Sequence, residues 1–423
     1  MQRSIATRIR STGLALVLLA LLVYLVSNPG RANLYGHYVW QADAWLHGRF
    51  AIPFPVAEGA VTNDRYLDVI PIPGSPGYGL IPYPPLPAIL LLPAVAIFGL
   101  AADAGLLALA LGAVSVGLAW RLVRRLVTDR RAALLATLFF SFGTGAWYAA
   151  ARGSTWFEAH VVALACTLLA ITLSLDAERS ESPRRLDPRQ VAAGFLLGLA
   201  ALARLPTIFG LPFLLLVGGG RSPFRRGAAA ALGAAVPLLF LLAYNLASSG
   251  APFQPGYESL YRTETPALPA FHHPDWAIED PRYLPQNLLI MLAEPPTIRL
   301  ECGLRFFDPD CPTISPDPLG MSLPLTSPAY LLALPLLVGI RRDRLLAGAF
   351  LAIAAIAAVD LMHFSQGWVQ FGYRFSNDWA PFALVPVTLA LARPDARRIG
   401  VVLVAASIAV NAWGSLWGAL RGW

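Results

Sequence analysis

Long apolar runs dominate the pattern of hydrophobic and polar positions. Gly13–Val26, Gly105–Leu122, Ala132–Trp147, Ala228–Ala247, Leu345–Met362 and Arg398–Leu416 each read as a continuous apolar stretch. A helix needs about 20 residues to cross some 30 Å of hydrocarbon, and these runs approach that length. One of them could be the core helix of a soluble protein, but six in one chain predict an integral membrane protein. Leu14–Val26 follows Arg3, Arg8 and Arg10, as a signal peptide would, but Val26-Ser27-Asn28-Pro29 is a poor cleavage site. A retained first helix is therefore expected.

Two further stretches are apolar but interrupted. Leu86–Leu100 is flanked by Pro82, Pro84, Pro85 and Pro87 and broken by Pro93, which suits a juxtamembrane or re-entrant helix covered by protein. Val191–Val217 is long enough for two short crossings that turn near Arg204-Leu205-Pro206. Each would reach only about 20 Å at 1.5 Å per residue, leaving a depression on the outer side.

Composition agrees: 56% of the 423 residues are hydrophobic and 13% charged, with a mean hydropathy of +0.57. Soluble domains carry about a quarter charged residues. The net charge of +7 is carried entirely by arginine among the basic residues. In a soluble chain such a balance would suggest nucleic acid; here it is read as an inside-facing excess. Arginines gather at Arg121–Arg131, Arg179–Arg189, Arg221–Arg226, Arg341–Arg344 and Arg393–Arg398. Placing all of these in the cytoplasm works if Leu86–Leu100 does not cross and Val191–Val217 crosses twice. The result is an all-α polytopic bundle of about eleven spans, a single membrane domain over residues 1–423 with its N-terminus cytoplasmic. Residues 28–105, 248–325 and 363–378 become outer loops, so any chemistry faces outward from the cell inner or plasma membrane.

The first outer loop carries the densest candidate chemistry. Tyr35–His47 reads as an amphipathic helix ended by Gly48, followed by Glu58, Asp64 and Asp68 and the proline-rich Tyr78–Pro87. Aromatics stack on sugar faces and a carboxylate can take a hydroxyl proton as general base. Asp43 and Asp68 are thus candidate catalytic acids, with His37, Trp40, Tyr66 and Tyr83 as candidate substrate contacts. Equally, Asp43 can simply solvate an interfacial helix whose Trp40 and Trp45 are belt residues. Arg204 lies between two apolar halves, and Arg152 and Arg374 also fall on the outer side, against the general bias. Guanidinium pairs bidentately with phosphate, so all three are candidate phosphate ligands; pairing with Asp378 or Glu158 competes, as does snorkelling for Arg204. Cys302 and Cys311 can form a disulfide on the oxidising side, while Cys166 sits inside an apolar run. The six histidines show no metal-ligand spacing, so no metal is assigned and no cofactor is required, although a divalent cation is not excluded.

Several segments together resemble the GT-C polytopic glycosyltransferases that use lipid-linked sugars, the bacterial group related to protein O-mannosyltransferases and the aminoarabinose transferase. They are Gln41–Gly48, Pro82–Pro93, Arg121–Leu126, Ala203–Thr207, Tyr244–Phe253 and Gln370–Pro381, in family order over nearly the whole chain. The resemblance implies sugar transfer from a polyprenyl-phosphate donor to an acceptor hydroxyl on a glycan, lipid or protein at the outer face. It also implies inversion, a first-loop acid as base and membrane-level arginines holding the donor phosphate. Where many relatives carry an acidic pair, this chain reads Asn33-Leu34-Tyr35. The base then falls to Asp43 first, to Asp68 or Asp64 next, or is absent. Two other readings stay open: a lipid or glycolipid transporter or flippase, disfavoured by the lack of acids within the helices, and a non-catalytic envelope assembly protein on the same scaffold.

Overall fold

The computed structural model describes residues 2–30, 35–54, 67–72, 74–75, 77–180, 186–253, 258, 261, 273, 275–305, 307–367 and 369–423, with the backbone alone at 2–10. The apolar runs form helices where expected: α1 (Gln2–Ser27), α4 (Ala104–Leu126), α10 (Pro223–Ser249), α12 (Arg344–Met362) and α14 (Arg397–Arg421). Between them lie α2 (His37–Leu46), α3 (Leu86–Phe98), α5 (Arg130–Phe142), α6 (Gly145–Arg152), α7 (Thr155–Glu178), α8 (Pro188–Ala201), α9 (Leu211–Leu216), α11 (Leu284–Ala293) and α13 (Ser376–Leu391). Among the described residues, five helices are long and apolar enough to cross a bilayer: α4, α7, α10, α12 and α14.

The run Ala132–Trp147, read as one span, is two helices bent by 48°; counted as one, they make a sixth candidate crossing. The cause is local. α5 stops at Gly143, and Thr144 caps α6 by accepting the Ala146 N–H at 3.3 Å. A Cβ on Gly143 would lie 2.9 Å from Ser407 of α14, so the break also lets two helices touch.

α3 is 13 residues long, about 20 Å at 1.5 Å per residue, short of the hydrocarbon thickness. Beyond α8 the chain turns at Arg204, runs through the 3₁₀ segment Leu205–Gly210 and returns as α9. The Gln190 amide at the start of α8 donates to the Leu214 carbonyl at 2.8 Å and the Val217 carbonyl at 3.3 Å. The two arms therefore lie side by side, with Arg204 at the far tip. Glycines set the spacing of α8 on α10: a Cβ on Gly194 would meet the Ala230 carbonyl oxygen at 1.9 Å, and one on Gly233 the Val191 oxygen at 1.9 Å. This is the small-residue packing that membrane helices use to approach closely. Gly194→Leu is expected to cost about 3 kcal/mol or more by overpacking. Thermal unfolding in detergent measures it, and a variant melting with the wild type would contradict so close a crossing.

The arginine-rich loops meet at one end. Arg125 pairs with Asp176 at 3.0 Å, Arg344 with Glu178 at 3.0 Å and Arg397 with Asp129 at 2.5 Å, while Arg130 reaches Thr12 at 2.9 Å. α7, the most buried long helix, starts from the opposite end and finishes among these arginines. Its 24 residues span roughly 36 Å, the distance between the arginine end and the end described below.

At that second end a small antiparallel sheet of order β1-β3-β2 forms from β1 (Ile52–Pro53), β2 (Ile70–Pro71) and β3 (Tyr78–Leu80). Ile52 pairs with Gly79 and Ile70 with Leu80. A Cβ on Gly79 would lie 2.5 Å from Val69, so glycine there lets Val69 seat beneath the sheet. A second ribbon, β4 (Thr297–Ile298) and β5 (Ile314–Ser315), brackets a Cys302–Cys311 disulfide with its Cα atoms 5.3 Å apart.

Candidate functional site

The site is built where α2, the small sheet, the start of α7 and the 363–375 segment converge. His37, the first residue of α2, is fully buried and its ring spans two elements: Nε2 meets the Leu67 carbonyl at 2.5 Å and Nδ1 the Thr155 hydroxyl at 3.0 Å. Burial holds the imidazole below its ordinary value, favouring the neutral ring. A neutral ring donates from Nε2 to the Leu67 carbonyl, and the Thr155 hydroxyl itself donates to the Tyr35 carbonyl at 2.9 Å. His37 thus fixes the residue before Asp68 and the residue before Trp156 at once.

Asp68, just ahead of β2, has φ +62°, a left-handed conformation unusual for a residue other than glycine. Its carboxylate accepts hydrogen bonds from the Tyr83 hydroxyl and from the Trp156 indole N–H, the latter at 2.8 Å. Strained backbone of this kind persists where the surroundings fix it, and here two donors from distant elements do so. The aromatic surround is dense: His37 lies 5.4 Å from Tyr83 and 5.0 Å from Trp40, and Tyr35 lies 4.8 Å from Trp156. Three sequence candidates, His37, Trp40 and Tyr83, are therefore gathered around Asp68. Tyr66 and Asp64 lie outside the described residues.

Asp43 has a different partner, His47. On α2, Gln41 donates to the Tyr244 hydroxyl at 2.7 Å and Trp45 packs on the Tyr244 ring. Two residues on, about 200° around the helix, Asp43 faces away from that contact and lies 3.6 Å from the exposed His47. A half-buried carboxylate and an exposed imidazole one helical turn apart can form the solvating arrangement also read from the sequence.

Arg374 is partly exposed. Its guanidinium lies 5.7 Å from the Phe157 ring centre and 5.2 Å from that of Phe375. Desolvation, with Arg204 close by, pulls it down to about 10, while Tyr83, Asp68 and Asp378 act the other way. It remains a cation at neutral pH. Its Nε has no hydrogen-bond partner, and no carboxylate among the described residues lies within 4 Å of it. Gly367, at φ +108°, makes room: a Cβ there would sit 2.8 Å from the guanidinium carbon.

Arg204 is engaged differently. At the tip of the α8–α9 hairpin it grips both Asp378 oxygens, at 2.6 Å through Nη2 and at 3.1 and 3.2 Å through Nε. His160 Nδ1 meets Asp378 at 2.8 Å and Asp360 lies 3.9 Å from Arg204. Expected to hold a donor phosphate, this arginine bonds instead to a buried carboxylate; the hairpin tip needs a counter-ion in a dry setting, and Asp378 supplies it. Arg152 is also apart. It donates to the Ser27 carbonyl at 3.3 Å and to a carboxylate oxygen of Trp423, the last residue, at 3.2 Å, and lies 6.0 Å from the Tyr148 ring. The sequence reading overlooked Trp156 and gave Asp360 and His160 no role. Acids near the ends of apolar helices are the signal that would have found Asp360. Among the described residues no group of three or more His, Cys, Asp or Glu could hold a metal.

Residues 83–245 match the family model described as dolichyl-phosphate-mannose-protein mannosyltransferase. No curated protein matches the chain. Among solved structures, ArnT from Cupriavidus metallidurans bound to undecaprenyl phosphate aligns at 15% identity and a TM-score of 0.46, over 92% of this chain and 62% of ArnT. The apo form of ArnT aligns at 18% identity and a TM-score of 0.47, over 93% of this chain and 62% of ArnT. The chain thus spans 62% of the length of the solved structures it aligns with. Over residues 83–245 the chain is similar to the dolichyl-phosphate-mannose-protein mannosyltransferase family.

Proposed function

We propose that the protein is a membrane glycosyltransferase that moves a sugar from a polyprenyl-phosphate donor to an acceptor hydroxyl at the extracytoplasmic face. The observation that carries this reading is a carboxylate, Asp68, clamped by Tyr83 and Trp156 near Arg374, a cation without a carboxylate partner among the described residues. The mannosyltransferase family match over residues 83–245 supports the donor class. In the proposed step Asp68 takes the acceptor proton as its oxygen attacks the anomeric carbon. The bond from that carbon to the phosphate oxygen breaks, the lipid phosphate leaves with the electron pair, and the configuration inverts. Arg374 sits where it can stabilise the phosphate charge that develops. Trp40, partly exposed and 5.0 Å from the buried His37, offers the aromatic face on which a sugar could stack.

The sidedness rests on the arginine end being cytoplasmic. On that basis eleven segments cross: α1, α4, the bent α5–α6 pair, α7, α8, the Leu205–Leu216 arm, α10, the 3₁₀ segment Pro328–Gly339, α12, α13 and α14. Residues 28–105, 248–325 and 363–378 then form the outer side of a single membrane domain over 1–423.

Purified protein supplied with labelled polyprenyl-phosphate sugar is expected to release polyprenyl phosphate only when an acceptor is present. Flux of the lipid across proteoliposomes without any transfer would favour a flippase instead. Arg374→Ala is expected to raise the donor KM about 10- to 100-fold, as for the loss of a hydrogen-bonded charge worth roughly 1.5–3 kcal/mol; Arg374→Lys should fall between. Unchanged donor kinetics in the alanine variant would remove Arg374 from phosphate binding.

A further inference from the structure

α11 is ten residues long, about 15 Å at 1.5 Å per residue, too short to cross a bilayer. Its faces are the reverse of those of a helix on a water-facing surface. Asn287 and Ile290 are buried, and Asn287 Nδ2 donates to the Leu361 and His363 carbonyls, both at 2.8 Å. This ties α11 to the end of α12 opposite the arginine loops. At about 100° per residue, Leu288, Leu289 and Leu292 fall on the other side, and all three are exposed, Leu289 at 61%. Pro285 and Ala293 share that exposed arc, which carries no polar side chain.

The Cys302–Cys311 ribbon repeats the pattern. Leu300 is 81% exposed, Leu304 85% and Phe307 51%. They lie on a loop closed by the disulfide and by the Thr313 N–H, which donates to the Arg305 carbonyl at 2.9 Å. The loop is fixed to α14: Arg421 Nη1 donates to the Pro309 carbonyl at 2.9 Å, and Phe307 lines one cavity with Leu416 and Leu420.

α14 has 25 residues, roughly 37 Å of helix, more than the ~30 Å of a hydrocarbon layer. Its last turn therefore stands at headgroup level, and so does the ribbon beside it. Leu416 and Leu420 are themselves exposed on a spanning helix, so Phe307 continues a lipid-facing wall. Leucines this exposed would make an unusual apolar surface in water; at headgroup level, acyl chains can cover them. Charge does not drive the contact. Residues 299–313 hold two arginines against Glu301, Asp308 and Asp310, and α11 has no charged residue.

We propose that α11 and the disulfide-closed ribbon form a platform seated in the bilayer surface at this end of the bundle, their leucines and Phe307 reaching the acyl chains. The platform is joined to the segment that carries Arg374: Glu279 and His363 form an antiparallel bridge, and the Phe364 N–H donates to the Ile278 carbonyl at 2.9 Å. The inference stands on these two surfaces and does not depend on the transferase reading.

The test places the photoreactive residue p-benzoylphenylalanine at Leu289, at Leu304 or, as a lipid-facing reference, at Val402 of α14, which is 64% exposed. Each full-length variant is reconstituted into phosphatidylcholine vesicles, irradiated and read by peptide mass spectrometry. Phospholipid adducts are expected at all three positions. Adding phosphatidylglycerol should leave the yields at Leu289 and Leu304 within about twofold, as for a contact dominated by apolar area. Adducts at Val402 with none at Leu289 and Leu304 would overturn the proposal and leave those leucines facing water. Crosslinks from Leu289 and Leu304 to a second copy of the chain, or to another segment of the same chain, in place of lipid would overturn it too. So would adducts that form only with phosphatidylglycerol, which would replace apolar seating by charge attraction.

Discussion

Replacing Asp68 with asparagine is expected to lower the rate of sugar transfer by about 10²- to 10⁴-fold, the usual contribution of a positioned general base. The donor KM should stay near its wild-type value, because the phosphate contact falls to Arg374. Asparagine keeps the size of the side chain and its carbonyl can still accept from the Trp156 indole, so folding should survive. What it removes is the capacity to take a proton. Asp43→Asn provides the internal comparison: its partner is the exposed His47, at 3.6 Å on a surface of α2 away from the Gln41–Tyr244 contact, so transfer should change by less than about threefold. Tyr83→Phe and Trp156→Phe each delete one donor to Asp68 and should give intermediate losses, mainly in kcat. A fully active Asp68→Asn enzyme alongside a dead Asp43→Asn enzyme would reverse the assignment and return the base to α2.

The contrast between Asp43 and Asp68 shows which parts of the molecule the sequence makes legible. Asp43 lies in a stretch whose period announces a helix, and the helix is there. What the period does not reveal is which face of α2 looks at Arg374, because that depends on contacts such as Gln41 to Tyr244, 203 residues apart. Asp68 sits in a glycine- and proline-rich segment with no period at all. It is placed by Trp156, 88 residues away, and by His37 holding Leu67. The arginine loops were easier to read, since the positive-inside bias is written locally, and Arg125, Arg344 and Arg397 do gather at one end with Asp176, Glu178 and Asp129. The turn at Arg204 was legible from Leu205-Pro206, but its partner Asp378 is 174 residues on. Apolar content likewise could not show that Ala132–Trp147 bends, since the bend comes from the stop at Gly143 and the cap that Thr144 supplies to α6.

Arg204→Gln is expected to be the most destabilising single substitution in this region, at about 3–5 kcal/mol, the range for breaking a buried ion pair from one side. The arrangement predicts an asymmetry. Removing Arg204 leaves two acids, Asp378 and Asp360, buried without their shared cation. Removing the charge of Asp378 leaves Arg204 with Asp360 only 3.9 Å away, close enough to re-pair by a small side-chain movement. Asp378→Asn should therefore cost roughly 1–2 kcal/mol, within the range for a lost hydrogen bond to a charged group. The double variant Arg204→Gln/Asp378→Asn should recover part of the loss, because one of the stranded carboxylates is gone. Thermal unfolding in detergent resolves these differences: a deficit of 3–5 kcal/mol lowers Tm by on the order of 10 °C in a chain of this size. Activity should fall further than stability in Arg204→Gln. Arg204 and Arg374 both lie over the Phe375 ring, at 4.9 and 5.2 Å, and loss of the first frees the ring that helps position the second. If Asp378→Asn proves the more damaging of the two, Asp360 is not the reserve partner for Arg204, and the hairpin tip is held by Asp378 and His160 alone.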